Sequence, residues 1–229
     1  MNASLAAVTA SDASTPAPGA VSHRLPNARQ LRQALPVDAD LGTRIAAQRQ
    51  AVRDILNGED DRLLIVTGPC SLHDPDAALE YGQRLAALAD RVSDRALLVM
   101  RAYVEKPRTT VGWKGLLYDP HLDGRQDLAE GLRLCRELLR DLAGLGLPLA
   151  SELLSPLAAS YLEDLLSWAA IGARTTESQI HRELVSGLSL PVGFKNGTDG
   201  GIAVARDAMQ AAAHPHAHLG VDDEGHPAL

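Results

Sequence analysis

The stretch Val99-Met100-Arg101-Ala102-Tyr103-Val104-Glu105-Lys106-Pro107-Arg108-Thr109-Thr110-Val111-Gly112-Trp113-Lys114-Gly115 decides how the chain is read. It begins inside a short apolar run, Ala96 to Tyr103, bounded by polar residues, which predicts a buried strand. Arg101, Lys106 and Arg108 then fall at the strand end and in the loop beyond it. Pro107 has no backbone donor and a fixed φ, so a helix does not run through that loop. Thr109, Thr110 and Gly112 surround the cations with hydroxyl donors and a small residue. One short cationic segment suits two anionic groups better than it suits a nucleic acid. The chain has 22 Lys and Arg residues, of which only Lys106, Lys114 and Lys195 are lysines. A lysine in such a background supplies a compact charge, or an amine whose pKa can be moved.

Composition narrows the class. At 229 residues with 45% hydrophobic content, the chain can bury a substantial core. A net charge of -7 argues against general nucleic-acid binding, which wants a basic face. The two cysteines, Cys70 and Cys135, give no disulfide framework and point to a reducing, cytoplasmic setting. No apolar run is long enough for a membrane span, and Met1 to Val8 lack the features of a secretory signal.

Residues 1–26, rich in Ala, Ser, Thr and Pro, are expected to form a disordered tail. An N-terminal extension over 27–60 carries a helix from Leu41 to Leu56, with Asp40 as its cap and Gly58 as its end. From 61 to 229 strands and helices alternate. The expected strands are Leu63–Thr67, Ala96–Tyr103, Pro148–Leu153, Ala170–Ala173, Pro191–Phe194 and His218–Val221, the first of them buried. Helices are expected from Pro75, over Asp127–Ala143 with Cys135 on the apolar stripe, over Leu157–Trp168, and over Ile202–Ala213. A capping box at Thr176 to Gln179 would start another, running through Leu184.

Such alternation predicts a parallel sheet with its ligands at the C-terminal ends of the strands. Cys70, Arg101 with Lys106, Glu152, Arg174 and Lys195 occupy those ends and would converge on one mouth if the sheet closes as a barrel. Cations, a thiol and a carboxylate together suit a phosphorylated anion, and the thiol would favour a transition metal over magnesium.

Gly68-Pro69-Cys70-Ser71, Glu105 to Gly115, Gly172-Ala173-Arg174-Thr175-Thr176-Glu177-Ser178 and Gly193 to Gly200 resemble the feedback-regulated class of 3-deoxy-D-arabino-heptulosonate 7-phosphate (DAHP) synthases. The resemblance runs from about residue 27 to the end of the chain, in order. It implies a metal-dependent TIM (β/α)8 barrel that condenses phosphoenolpyruvate with erythrose 4-phosphate, the first step of the shikimate pathway. It also implies roles. Cys70 would ligate a divalent metal such as Mn, Fe, Co or Zn. Arg101, Lys106, Ala173, Arg174 and Lys195 would hold phosphoenolpyruvate, and Lys106 would also transfer a proton. Arg108 and Thr109 would hold the aldose phosphate, and Glu152 would position the attacking water. Lys106-Pro107-Arg108-Thr109-Thr110 favours erythrose 4-phosphate over arabinose 5-phosphate. An aromatic amino acid effector and a homo-oligomer are further implications. The effector pocket is expected near Leu154–Tyr161 and Ser189, with Ser155 and Ala159 departing from the common residues there.

A closed barrel has eight strand-helix units, whereas about six are read here. The remaining metal ligands of the family, a His, a Glu and an Asp, come from its last strands. His214, His216, His218, His226, Asp222, Asp223 and Glu224 are the substitutes near the end of the chain, and a His-x-His-x-His strand offers only an adventitious site. The expectation is a chain that is poorly stable and inactive alone. Three readings follow: an enzyme with its last strands missing, a binding or regulatory remnant without chemistry, or the N-terminal half of a split enzyme.

Overall fold

The computed structural model of the chain describes residues 24–228. The expected tail over 1–26 lies, up to residue 23, outside the described residues.

Two helices precede the sheet. Helix α1, Ala28–Ala34, was not foreseen; Asn27 caps it by accepting from Gln30 N, while the Gln30 side chain accepts from Asn27 N. Helix α2, Ala39–Asn57, starts two residues earlier than expected because Asp38, not Asp40, accepts from Leu41 N at 2.8 Å. Asp40 instead sits in the first turn, where its charge favours the helix dipole. Gly58 closes α2 in the left-handed region at φ 76°.

Five strands then form one parallel sheet in the order β1-β2-β3-β4-β5: Leu63–Thr67, Ala96–Arg101, Leu149–Glu152, Trp168–Ile171 and Val192–Phe194. The helices between them are α3 (Pro75–Val92), α4 (Leu128–Gly144), α5 (Pro156–Leu162) and α6 (Gln179–Ser186), and α7 (Ala203–Ala212) follows β5. Asp74 accepts from Ala77 N with Pro75 behind it, which starts α3 as the sequence indicates.

Strand parity sorts the side chains. Ala96, Leu98, Met100, Leu149, Ala169 and Ile171 face outward into a core with Leu132, Cys135, Leu138, Leu139 and Leu142 of α4. Val99 and Ala150 face the other way, packed with Leu64, Leu97 and Trp168 and with Val52 of α2. Both faces of the central strands are therefore apolar, as a parallel sheet requires. Burying each such leucine contributes about 2 kcal/mol.

Four expectations need correction. β1 is not buried: Leu63, Ile65 and Val66 are exposed, because β1 is an edge strand and α3 packs on β2. Helix α5 does not reach Trp168. It ends at Leu162, a 3-10 turn covers Glu163–Leu165, and Trp168 opens β4. Arginines from elsewhere satisfy the carbonyls at that helix end: Arg136 Nη1 donates to Tyr161 O, and Arg49 to Glu163 O and Leu166 O. The expected capping box at Thr176 is absent, because the Thr176 hydroxyl is buried and bonds Gly172 O and Lys195 O, each at 2.9 Å. Last, Gly220–Val221 (β6) does not join the parallel sheet. It pairs antiparallel with Pro227–Ala228 (β7). Asp222 Oδ1 accepts from Glu224 N and His226 N, and Gly225 at φ 84° turns the chain back. That hairpin docks on α1, where Arg29 N donates to Asp223 O at 2.9 Å. Among the described residues no helix is long and apolar enough to cross a membrane.

Candidate active site at the strand ends

Parity carries from the core to the mouth. Arg101 follows Leu97 and Val99 on the inner face, Glu152 follows Ala150, and Lys195 follows Gly193. These three residues, distant in sequence, meet around the ring of Tyr103. The Arg101 guanidinium carbon lies 3.7 Å from the ring centroid and the Lys195 ammonium 5.1 Å from it. The same ammonium is 3.7 Å from Glu152 Oε2. Glu152 is 5% exposed, and its Oε1 has no hydrogen-bond partner among the described residues. Gly172 makes room for it: a Cβ there would stand 2.1 Å from Glu152 Oε1.

The turn after β1 closes over this group. Arg101 Nε donates to Pro69 O at 3.1 Å and Nη2 to Cys70 O at 3.0 Å. Lys106 Nζ lies 2.5 Å from Cys70 Sγ and 3.3 Å from Cys70 O. The exposed Cys70 thiol is held below its ordinary pKa, first by the hydrogen bond from Lys106 and next by the Lys106 charge, with Arg101 and Arg108 adding to it. Cys135, the core residue the sequence implied, is fully buried and its thiol is pushed up by desolvation.

The loop after β2 reaches the loop after β4 through Arg174 Nη2, which donates to Thr109 Oγ1 at 3.2 Å. Arg108 lies along the same loop, its Nε donating to Trp113 O at 2.7 Å. Ala173 and Arg174 line an open cleft with Glu177, Gly197, Thr198 and Asp199. Contacts thus link Cys70, Arg101, Lys106, Glu152 and Lys195 in one group and Thr109 with Arg174 in a second.

Two residues escaped the sequence reading. Tyr103 is the ring on which Arg101 and Lys195 converge, and strand parity at i+2 from Arg101 was the available signal. Glu105 is buried with no cation among the groups perturbing it, and desolvation raises its pKa to about 7. Nothing in its flanking sequence marks it as buried.

The metal expectation finds one donor. Among the described residues no group of three or more His, Cys, Asp or Glu side chains could hold a metal ion. Cys70 stands with Lys106 rather than with other ligands. His216 Nε2 is paired with Ala211 O, and His226 with Asp222 at 3.5 Å, so the histidine-rich end does not assemble a site. In the expected effector region Tyr161 donates to Pro26 O, whereas Ser189 Oγ accepts from Arg49 Nη1.

Comparison with known proteins gives a consistent picture. The pattern of the DAHP synthetase I family matches residues 36–226. The Tyr-sensitive phospho-2-dehydro-3-deoxyheptonate aldolase of Escherichia coli K12 is 58% identical over 200 residues, 87% of this chain and 56% of that protein. The Phe-sensitive aldolase of the same strain is 56% identical over 199 residues, 87% of this chain and 57% of that protein. The corresponding aldolase of Corynebacterium glutamicum is 52% identical over 203 residues, 89% of this chain and 56% of that protein. The solved aldolase of Francisella tularensis SCHU S4 superposes with a TM-score of 0.88 at 45% identity, covering 90% of this chain and 60% of that one. The chain spans about half the length of the curated relatives it matches.

Proposed function

Because the chain belongs to the DAHP synthetase I family, we propose that it carries the phosphoenolpyruvate half of a DAHP synthase site. The observation that carries this reading is the convergence of Arg101 and Lys195 on the Tyr103 ring, with Lys195 beside the buried Glu152 and Lys106 joined to Arg101 through Cys70. In the proposed reaction phosphoenolpyruvate, erythrose 4-phosphate and one water give DAHP and phosphate. Arg101, Arg174 and Lys195 neutralise the phosphate and carboxylate of phosphoenolpyruvate, and Ala173 borders the cleft that Arg174 lines. Arg108 and Thr109 take the phosphate of the aldose.

The new carbon–carbon bond leaves an alkoxide that needs a proton, and the Lys106 ammonium is the donor in reach. Glu152 Oε1, buried and without a partner among the described residues, accepts from the water that attacks phosphoenolpyruvate. A divalent ion such as Mn, Fe, Co or Zn would supply Lewis acidity when bound. The described residues provide it with Cys70 alone and so do not fit a complete metal site.

Titration of phosphoenolpyruvate into the purified chain, followed by calorimetry, tests the reading. Saturable binding that is lost in Arg101→Met and Lys195→Met is expected, and an absence of binding rejects it. We expect the 229-residue chain alone not to turn over, since its described residues gather one metal donor; phosphate release with added metal and both substrates would overturn that expectation. The exposed apolar edge strand β1 favours a second reading, in which a separate polypeptide supplies further strands. Restored turnover on adding the remaining portion of a relative would single it out. An aromatic amino acid effector, a homo-oligomer and a cytoplasmic setting belong to the same proposal, supported by relatives named for Tyr and Phe sensitivity and by two free cysteines.

A further inference from the structure

Glu105 is a buried carboxyl group, 2% exposed, for which the proposed reaction has no task. Its Oε2 accepts from the backbone N–H groups of Leu154 and Ser155, each at 3.3 Å, and its Oε1 lies 3.5 Å from the Tyr118 hydroxyl. The titratable groups facing it are Glu152 from β3, Tyr118 from its own loop and Cys135 from α4, and none is a cation. Burying a carboxyl group without a cation is unfavourable. An apolar residue would fill the space, but it would leave two backbone donors without an acceptor.

Leu154 is gripped from its other side as well. His181 Nε2 lies 2.9 Å from Leu154 O, and His181 Nδ1 lies 2.8 Å from Ser178 Oγ. A carbonyl oxygen only accepts, so Nε2 carries the proton and Nδ1 accepts from the Ser178 hydroxyl in the neutral ring. The path therefore runs from the loop after β2, through the segment after β3, to the start of α6. Each stop lies close in sequence to a proposed site residue: Glu105 beside Lys106, Leu154 just beyond Glu152, and Ser178 shortly after Arg174.

The backbone around Glu105 is equally fixed. Leu117 N donates to Val104 O at 3.2 Å and Lys106 N to Lys114 O at 2.8 Å. Gly115, at φ 111°, passes so close that a Cβ there would stand 2.3 Å from Val104 O and 2.8 Å from Glu105 Cα. These contacts join residues 104–106 to residues 114–117 as one backbone unit, so any shift that follows loss of the Glu105 carboxyl bonds is carried to Lys106.

We propose that Glu105 is a positioning residue that ties the loop bearing Lys106 to the segment just beyond Glu152 and, through Leu154 and His181, to the start of α6 beyond Arg174. The inference builds on the proposed site, but its test uses no substrate. In the full chain, amide exchange at Leu154 and Ser155 is read by NMR, and alkylation of Cys70 by iodoacetamide reports where Lys106 stands. Cys135 is fully buried and adds no background.

In Glu105→Ala the two amides are expected to exchange about tenfold faster, as for the loss of a hydrogen bond, while Leu138 and Leu139 of α4 keep their wild-type rates. Cys70 alkylation should slow toward the rate of Lys106→Met. Glu105→Gln, which retains one accepting oxygen, should restore both readouts. Wild-type exchange or wild-type alkylation in Glu105→Ala overturns the proposal. If α4 also loosens in Glu105→Ala, Glu105→Asp replaces it, keeping the charge while drawing the oxygens back from the amides, and the same two outcomes decide. Neither readout involves phosphoenolpyruvate, so a failure here leaves the proposed function standing, and a failure to bind phosphoenolpyruvate leaves this inference standing.

Discussion

The Lys106 ammonium and the Cys70 thiol face each other at 2.5 Å across the ends of β1 and β2. The pair makes Cys70 the reactive cysteine of the chain, because its thiol is held down by the Lys106 hydrogen bond and by the surrounding cations. Iodoacetamide should label Cys70 and spare Cys135. In Lys106→Met the pH midpoint of that labelling should move up, and its rate at neutral pH should fall. An unchanged pH–rate profile would mean that the contact contributes nothing to thiolate stability.

Arg136 is 1% exposed on the apolar side of α4 and makes two hydrogen bonds of 2.8 Å to the Asp164 carboxylate. It also donates to Leu35 O and Tyr161 O, so one guanidinium joins α4 to the ends of α1 and α5. Asp164→Ala leaves that charge buried without its partner and should cost about 3 kcal/mol in urea unfolding. Arg136→Met removes the charge itself and keeps the bulk, so it should cost less. The reverse order would mean that Arg136 stabilises mainly through the two carbonyls.

The alternating apolar runs made the parallel sheet and its strand-end cations legible, because periodicity and parity are local properties of the sequence. What was missed was settled by tertiary partners. Arg136 occupies an apolar helical position, and its acceptors lie in other elements. Trp168 follows a helical pattern but is drawn into β4 once Arg49 takes the carbonyls before it. Leu63, Ile65 and Val66 read as core, yet an edge strand leaves them exposed. Glu105 and Tyr103 are identifiable only from what packs against them.

Glu105 also sets a pH dependence. Burial raises its pKa from the ordinary 4.5 to about 7, so between those values the folded chain binds a proton that the unfolded chain has lost. The stability it contributes is full below 4.5, falls as pH rises, and is gone above about 7. The difference corresponds to about 3 kcal/mol. Glu105→Gln cannot titrate. Urea unfolding across this range should therefore show wild type losing ground to Glu105→Gln from pH 4.5 to 7, with a constant gap above. Parallel curves would show that the carboxyl is not desolvated.

Gly172 faces Glu152 across the ends of β4 and β3. A methyl group there would stand 2.1 Å from Glu152 Oε1 and 2.9 Å from its carboxyl carbon. Neither side can yield easily: Glu152 is buried, and Gly172 O is held by the Thr176 hydroxyl and by the backbone N–H groups of Thr175 and Thr176. Gly172→Ala should therefore cost about 2 kcal/mol as overpacking, and it should turn Glu152 away from Lys195. Phosphoenolpyruvate affinity should then fall by more than stability alone explains, since Lys195 loses the carboxylate that orients it. Repeating the change in a Glu152→Ala background separates the two effects. The truncated side chain leaves room for the methyl group, so stability should recover while affinity stays low. If stability does not recover, the methyl group clashes with the backbone and not with Glu152.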